Sequence, residues 1–150
     1  MKIDYFKIPE ITISYKDTVR ASERLQITCS DDVVKIFKVV FKECMQHHEE
    51  AYAIFLNHSN RVLGLFNISK SGVSSTLVDI KILMQTALKV HASAMIFSHN
   101  HPSSYLKPSR QDILLTKKIK EACKVLDISF FDHIIMTEEG YYSFVNEGLL

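Results

Sequence analysis

One short segment in the second half of the chain contains several side chains that commonly bind a metal ion. His99 and His101 are two residues apart, Asp112 follows, and the hydroxyl-bearing Ser109 lies three residues before the aspartate. The apolar run 94–97 before the histidines is typical of a buried strand. If that strand continues, both imidazoles emerge on the same face, because side chains alternate along a strand. Two imidazoles and one carboxylate leave the fourth position of a tetrahedral zinc ion open, so this pattern predicts a catalytic Zn²⁺ site.

The rest of the chain predicts a single sheet with helices packed against it. Apolar residues recur at helical spacing after Ser30, which we expect to cap the first helix. Two further helices are predicted, one from Asp79 and one over 110–126. Strands are predicted over 51–56, 62–66, 94–98, 128–136 and 141–145. This order of elements is typical of a single-domain α/β protein with a mixed sheet and flanking helices.

The first part of the chain lacks a clear helical pattern. Residues 1–28 contain extended pieces such as 11–15, and we interpret them as an N-terminal arm or edge strand beside a domain over 29–150. An exposed arm of this kind could pair two copies of the chain, which would give a homo-oligomer.

Composition limits the classes of protein to which the chain can belong. It has 150 residues, 47% of them hydrophobic, and a net charge of +1, which does not favour a nucleic-acid or anionic-membrane partner. No apolar run approaches the roughly 20 residues that a membrane helix needs, and the start of the chain does not read as a secretory signal. The cysteines are Cys29, Cys44 and Cys123, and none forms a Cys-x-x-Cys pair. They predict reduced, structural thiols and a cytoplasmic location.

The residues around the histidines resemble those of a known family. His99-Asn100-His101, seven further residues and Ser109-x-x-Asp112 match the signature of the JAB/MPN (JAMM) metallopeptidase superfamily. Within it, the chain is similar to RadC-type JAB domains over roughly residues 25–150. The similarity rests on three segments: 98–103 with 107–110, Asp132-His133, and the C-terminal 142–150.

This resemblance implies a cytidine-deaminase-like α/β/α fold and a zinc ion held by His99, His101 and Asp112. It also implies a glutamate ahead of the first core strand as general base, for which Glu49 and Glu50 are the alternatives. Counting back without gaps from 56–57 favours Glu49. The two side chains would point to opposite faces if the strand already runs there, so only one could reach the metal.

The chemistry expected of such a site is the hydrolysis of an amide or isopeptide bond by water. Zinc with three protein ligands lowers the pKa of its water toward about 7 and polarises a carbonyl group. The glutamate would take the proton of that water and pass it to the leaving amine. The hydroxyl group of Ser109 could donate to the developing oxyanion or orient the water, and one such donor typically contributes about 2.7–4 kcal/mol.

The chain departs from the RadC pattern in two places. Ser104 stands where RadC-type chains usually have a glycine, and a left-handed turn there is less easy without glycine. Full-length RadC proteins also carry an N-terminal helix-hairpin-helix region, for which we expect no room here.

Simpler interpretations exist for several of these residues. Ser109-x-x-Asp112 is also a capping box, which is compatible with a ligand role for Asp112. His133 could be structural or could contact a ligand. Four lysines of the third helix predict a solvated face rather than a nucleic-acid patch: Lys117, Lys118, Lys120 and Lys124.

Two other enzyme classes do not fit. The contiguous string His99-Asn100-His101 does not indicate an HNH nuclease, because in that class the three residues come from separate elements. A zinc deaminase would need His-x-Glu and Pro-Cys-x-x-Cys, which are absent from the sequence.

We therefore expect a zinc-dependent metallopeptidase-like hydrolase of the RadC family, acting on a peptide or protein substrate. The alternative is a non-catalytic protein-binding or DNA-repair-associated JAB module. Nucleic acid is weakly supported as a partner, and no membrane is expected.

Overall fold

The computed structural model describes residues 14–70 and 78–150. Its regular elements are α1 (Ser30–Val40), β1 (Glu50–Leu56), β2 (Val62–Lys70), α2 (Ile80–Lys89), β3 (Ala94–Asn100), α3 (Arg110–Val125), β4 (Ser129–Met136) and β5 (Tyr141–Ser143). The predicted helices and strands are all present, so the mixed α/β single-domain fold is confirmed.

Part of the predicted N-terminal arm lies outside the described residues, namely 1–13, with most of the extended piece 11–15. Its described part contains a short 3₁₀ turn, Ala21–Glu23, and one isolated bridge between Gln26 and Arg61. No strand forms over residues 14–28.

The five strands form one mixed sheet in the order β2-β1-β3-β4-β5. β1 is antiparallel to both neighbours, β3 and β4 are parallel, and β5 pairs antiparallel with β4. The parallel connection between β3 and β4 contains α3, as such crossovers usually require a helix. This connection matters for the site, because it brings the start of α3 next to the end of β3.

Two layers of core side chains cover the two faces of the sheet. On one face Ile54 and Ile96 pack with α1, and on the other Phe55 and Phe97 pack with α2 and α3. Alternation along β1 and β3 assigns odd-numbered residues to the α2/α3 face and even-numbered residues to the α1 face.

Two predicted boundaries were wrong by a small margin. The N-cap of α1 is Cys29 rather than Ser30, because the carboxylate of Asp32 accepts from the backbone N–H groups of Thr28 and Cys29 at 3.0 and 3.3 Å. β5 ends at Ser143 rather than at 145, because the N–H of Val145 donates to Asp132 at 3.1 Å instead of continuing the ladder.

Other local predictions are confirmed. Asp79 caps α2 by accepting from the N–H of Lys81 at 2.8 Å, and Ser109 caps α3. Among the described residues, no helix combines the length and the apolar character needed to cross a lipid bilayer.

Candidate metal centre

The two histidines and the aspartate meet at the carboxyl end of β3. His99 is the penultimate residue of that strand, and the N–H of His101 extends the pairing by donating to the carbonyl of Met136 at 2.9 Å. Asp112 lies in the first turn of α3. The Nε2 atoms of the two imidazoles are 2.9 Å apart, so the end of the strand and the start of the helix bring three ligands together at one point.

The spacing of the three donor groups suits a single tetrahedral cation. His99 Nε2 is 3.2 Å from one carboxylate oxygen of Asp112, and His101 Nε2 is 3.5 Å from the other. Two ligands that are each about 2.05 Å from a tetrahedral zinc ion lie about 3.3 Å from one another. The three observed separations lie on both sides of that value, so this group could hold a metal ion.

A chain of hydrogen bonds determines which nitrogen of His99 carries the hydrogen. The hydroxyl of Thr116 donates to the carbonyl of Asp112 at 2.7 Å, so toward His133 Nδ1, at 2.6 Å, it can only accept. His133 is fully buried against Phe144, and burial lowers its pKa well below the usual value, so its ring is neutral. Its Nε2 must therefore accept from His99 Nδ1 at 2.8 Å. This leaves a lone pair on His99 Nε2, facing the metal position.

His101 is oriented by a backbone carbonyl in the same manner. Its Nδ1 lies 2.7 Å from the carbonyl oxygen of Tyr105, which can only accept, so Nδ1 donates. The turn that presents this carbonyl includes Ser104, whose φ of 60° is left-handed and whose N–H donates to the carbonyl of His101 at 3.1 Å. The left-handed turn for which a glycine was expected therefore forms with a serine.

The electrostatics of the site favour a cation between the two rings. Burial alone would raise the pKa of Asp112, but hydrogen bonds with His101 and His99 hold that pKa well below its usual range, so the carboxylate is charged. Burial also lowers the pKa of His101, yet its bonds with Asp112 and the Tyr105 carbonyl outweigh burial and raise that pKa. Without a metal ion, a proton is the cation that the site attracts, and metal and proton compete for the same position.

The two neighbouring glutamates lie on opposite faces of the sheet. Glu49 lines the cavity that also contains His99 and His101. Glu50 is buried on the α1 face instead. Its carboxylate lies within hydrogen-bonding distance of His48 Nε2 (2.8 Å), Tyr52 Oη (2.8 Å) and Asn67 Nδ2 (3.0 Å). Of the two, Glu49 is the one that can reach a molecule bound at the histidines.

Ser109 caps α3 and also lines the cavity. Its Oγ accepts from the N–H of Asp112 at 3.1 Å, and the carboxylate of Asp112 accepts from the N–H of Ser109 at 2.7 Å. The hydroxyl hydrogen of Ser109 takes no part in either bond, and the side chain is exposed. The capping box and a ligand role for Asp112 therefore coexist in one arrangement.

The cavity beside the histidines is large enough for several residues of a peptide, at about 630 Å³. One part of its wall is aliphatic, with Val78, Ile80 and Leu115, and another part carries Lys107 and Lys118. The site thus combines an apolar surface for side chains with cationic groups at its edge.

A second group of metal-binding residue types lies on the α1 face. Donor atoms of Cys44, His48 and Glu50 lie within 4.8 Å of one another. Cys44 was expected to be a structural thiol and Glu50 only an alternative base, so this group was not predicted. The signal was the spacing of four between Cys44 and His48 in a helical turn, which places both on one side.

Two residues that organise the site were also missed. Thr116 lies four residues after Asp112, a spacing at which a threonine hydroxyl can bond back to a helix carbonyl. Asn100 is a fully buried amide on the face of β3 opposite to His99. A polar amide at the end of a strand that begins with an apolar run was the available signal for Asn100.

Comparison with known proteins identifies the family of the chain. The family model of the RadC-like JAB domain matches residues 27–149. A UPF0758 protein of Flavobacterium johnsoniae is 43% identical over 124 residues, which are 83% of this chain and 53% of that protein. UPF0758 proteins of Porphyromonas gingivalis and Thermotoga maritima are 42% and 31% identical over 103 and 136 residues. These cover 68% and 91% of this chain, and 45% and 59% of those relatives.

The chain thus spans about half the length of the curated relatives that it matches. The match includes the histidines and the aspartate that converge on the cavity, together with Glu49 beside them. On this combined ground, the chain belongs to the RadC-like JAB domain family.

Proposed function

We propose that this protein is a zinc-dependent hydrolase of the metallopeptidase type, which cleaves an amide or isopeptide bond with water. The observation that carries the proposal is the convergence of His99, His101 and Asp112, with Glu49 lining the same cavity. Two imidazole nitrogens and a carboxylate oxygen are a ligand set that suits zinc and leaves one position for substrate or water.

The bound ion would supply a water molecule with a lowered pKa and would polarise the substrate carbonyl. The chain's own residues would do the remaining work. Glu49 would accept a proton as the water oxygen bonds to the carbonyl carbon, and would deliver it to the leaving nitrogen as the C–N bond breaks. The hydroxyl of Ser109 would donate to the oxygen that gains negative charge.

The environment of Asp112 and His133 supports the same assignment. Asp112 keeps its charge, and the neutral ring of His133 accepts from His99 Nδ1, which directs His99 Nε2 toward the cation. The aliphatic wall would bind side chains next to the scissile bond and exclude water from them.

The experiment is a cleavage assay with a mixed peptide library on zinc-loaded protein, with products read by mass spectrometry. We expect cleavage that depends on added zinc and is lost in Glu49→Gln, while Glu50→Gln serves as the matched control and retains cleavage. Zinc-dependent cleavage that survives in Glu49→Gln would overturn the role of Glu49. Unchanged cellular function of Glu49→Gln would favour the non-catalytic binding alternative.

A further inference from the structure

Asn100 lies between the two histidines in sequence but on the opposite face of β3. Its side chain is completely buried, and each of its polar atoms is hydrogen-bonded. Oδ1 accepts from the N–H of Glu50 at 2.7 Å, and Nδ2 donates to the carbonyls of His48, Cys44 and Met45 at 2.9, 3.1 and 3.3 Å. All these partners lie in the segment that leads into β1 or, in the case of Glu50, at the first residue of β1.

Two of these bonds enclose Glu49. The carbonyl of His48 belongs to the peptide group before Glu49, and the N–H of Glu50 belongs to the peptide group after it. Asn100 therefore binds both peptide groups that flank Glu49. Since those groups set φ and ψ of the residue between them, one amide side chain constrains the backbone from which the Glu49 carboxylate projects.

Regular pairing stops short of this position. The β1–β3 register ends at the pair Ala51–His99 and the β1–β2 register at Glu50–Lys70, so Glu49 itself precedes both. The Asn100 side chain extends the attachment of β1 to β3 beyond their last backbone pair. It does so from the strand that carries His99.

We propose that Asn100 is a positioning residue that sets the place of Glu49 relative to the metal centre. This inference rests on the proposed function, in which Glu49 is the general base. Asparagine suits this place because it offers an acceptor and two N–H donors on one short, uncharged group. Aspartate would place a carboxylate against three carbonyl oxygens, and an aliphatic side chain would remove the bonds to both peptide groups that flank Glu49.

The test uses ¹⁵N-labelled protein loaded with one equivalent of Co²⁺, which can replace zinc and shifts nearby amide resonances according to their distance and direction. We expect Asn100→Ala to change the paramagnetic shifts of the Glu49 and Glu50 amides. Amides of β4 beside the metal should keep theirs. Exchange of the Glu50 amide hydrogen should become about tenfold faster, the effect of losing one buried hydrogen bond.

Ser98→Ala is the matched control. Ser98 is buried to the same extent on the same face of the same strand, but its hydroxyl donates to Ile134 on β4 at 2.7 Å. The Ser98→Ala substitution should destabilise the protein without changing the paramagnetic shift of the Glu49 amide. Asn100→Asp, which keeps an acceptor for the Glu50 N–H, should restore part of the Glu49 shift and can be studied if Asn100→Ala does not fold.

The outcomes separate this inference from the proposed function. If the paramagnetic shift of the Glu49 amide were unchanged in every Asn100 variant that folds, the positioning role would be overturned. The same holds if Ser98→Ala changed that shift equally. Failure of the wild-type protein to bind Co²⁺ at the histidines would instead overturn the proposed function. Changed Glu49 shifts with unaltered Co²⁺ stoichiometry would support the positioning role.

Discussion

The two faces of the sheet each carry a trio of residues that could bind a metal ion, and the trios differ in what their donor atoms already do. On the α2/α3 face, the Nδ1 atoms of His99 and His101 make hydrogen bonds to His133 and to the Tyr105 carbonyl, which leaves both Nε2 atoms directed at Asp112. On the α1 face, Cys44 Sγ–H donates to a backbone carbonyl at 3.6 Å. The oxygens of Glu50 there face N–H and O–H groups.

The difference teaches that proximity of ligand types does not make a metal site. A cation is favoured where donor atoms with no other partner converge and only an exchangeable proton competes for the position, as at His99 Nε2, His101 Nε2 and the Asp112 carboxylate. Where donors and acceptors already satisfy one another, as around Glu50, a cation would have to displace those hydrogen bonds. We therefore expect one high-affinity site, on the α2/α3 face.

The largest effect should come from removing ligands of one trio and not the other. His101→Ala and Asp112→Ala should each lower zinc affinity by more than about 100-fold, beyond the effect of changing a ligand's hydrogen-bond partner. Cys44→Ser and Glu50→Gln should leave the stoichiometry at one ion per chain. Mass spectrometry gives the number of zinc ions per chain, and competition with a chelator gives the zinc affinity. If Cys44→Ser lost its zinc and His101→Ala kept it, the zinc site would be the trio on the α1 face.

The next effect concerns the hydrogen-bond chain behind His99. Thr116→Val removes the hydroxyl that orients His133, so zinc affinity should fall by about 10-fold or more. Thr86→Val is the matched control, because Thr86 makes the same helix back-bond, to Ile82 at 2.8 Å, without a histidine beyond it. If zinc affinity fell equally in the two variants, the hydrogen bonds from Thr116 through His133 to His99 would not contribute to zinc binding.

A smaller effect is expected on how strongly zinc stabilises the fold at different pH values, and its sign can be predicted. Asp112 has a lowered pKa and His101 a raised one, so in the metal-free protein their pairing stabilises the fold between the usual values of 3.8 and 6.5. The contribution of His101 is lost as pH rises through its raised pKa, and that of Asp112 as pH falls below 3.8.

Zinc needs the deprotonated His101, so the rise in Tm on zinc addition should be larger at pH 8 than at pH 6. Thermal unfolding of metal-free and zinc-loaded protein at both values measures this. An equal rise at both pH values would show that no proton leaves on metal binding.

The smallest expected effect is at the turn that presents the Tyr105 carbonyl. Ser104→Gly should stabilise the protein by about 0.5 kcal/mol, because the cost of a left-handed residue of roughly 1 kcal/mol exceeds the entropy cost of glycine. Urea unfolding measures it, with Ser103→Gly as a control at the neighbouring position. Destabilisation by Ser104→Gly would show that the serine makes a compensating interaction.

The local parts of the fold and site were readable in the sequence because they depend on short spacings. The His-x-His alternation, the capping box at Ser109 and the helical repeat after Cys29 each follow from residues a few positions apart. The boundary errors at Ser30 and at 145 have one origin. In each case a carboxylate, that of Asp32 or Asp132, took a backbone N–H that a simple pattern assigns to regular structure.

The sequence by itself determined the ligand types, their spacing and the pair of glutamates from which a base would come. Only the tertiary structure decided that Glu49 shares the cavity of the histidines and that His133 and Thr116 orient His99. It also placed Asn100 across the peptide groups that flank Glu49. The physical reason is that these contacts join residues that are 17 to 52 positions apart, and only the packing of strands and helices brings such residues within hydrogen-bonding distance.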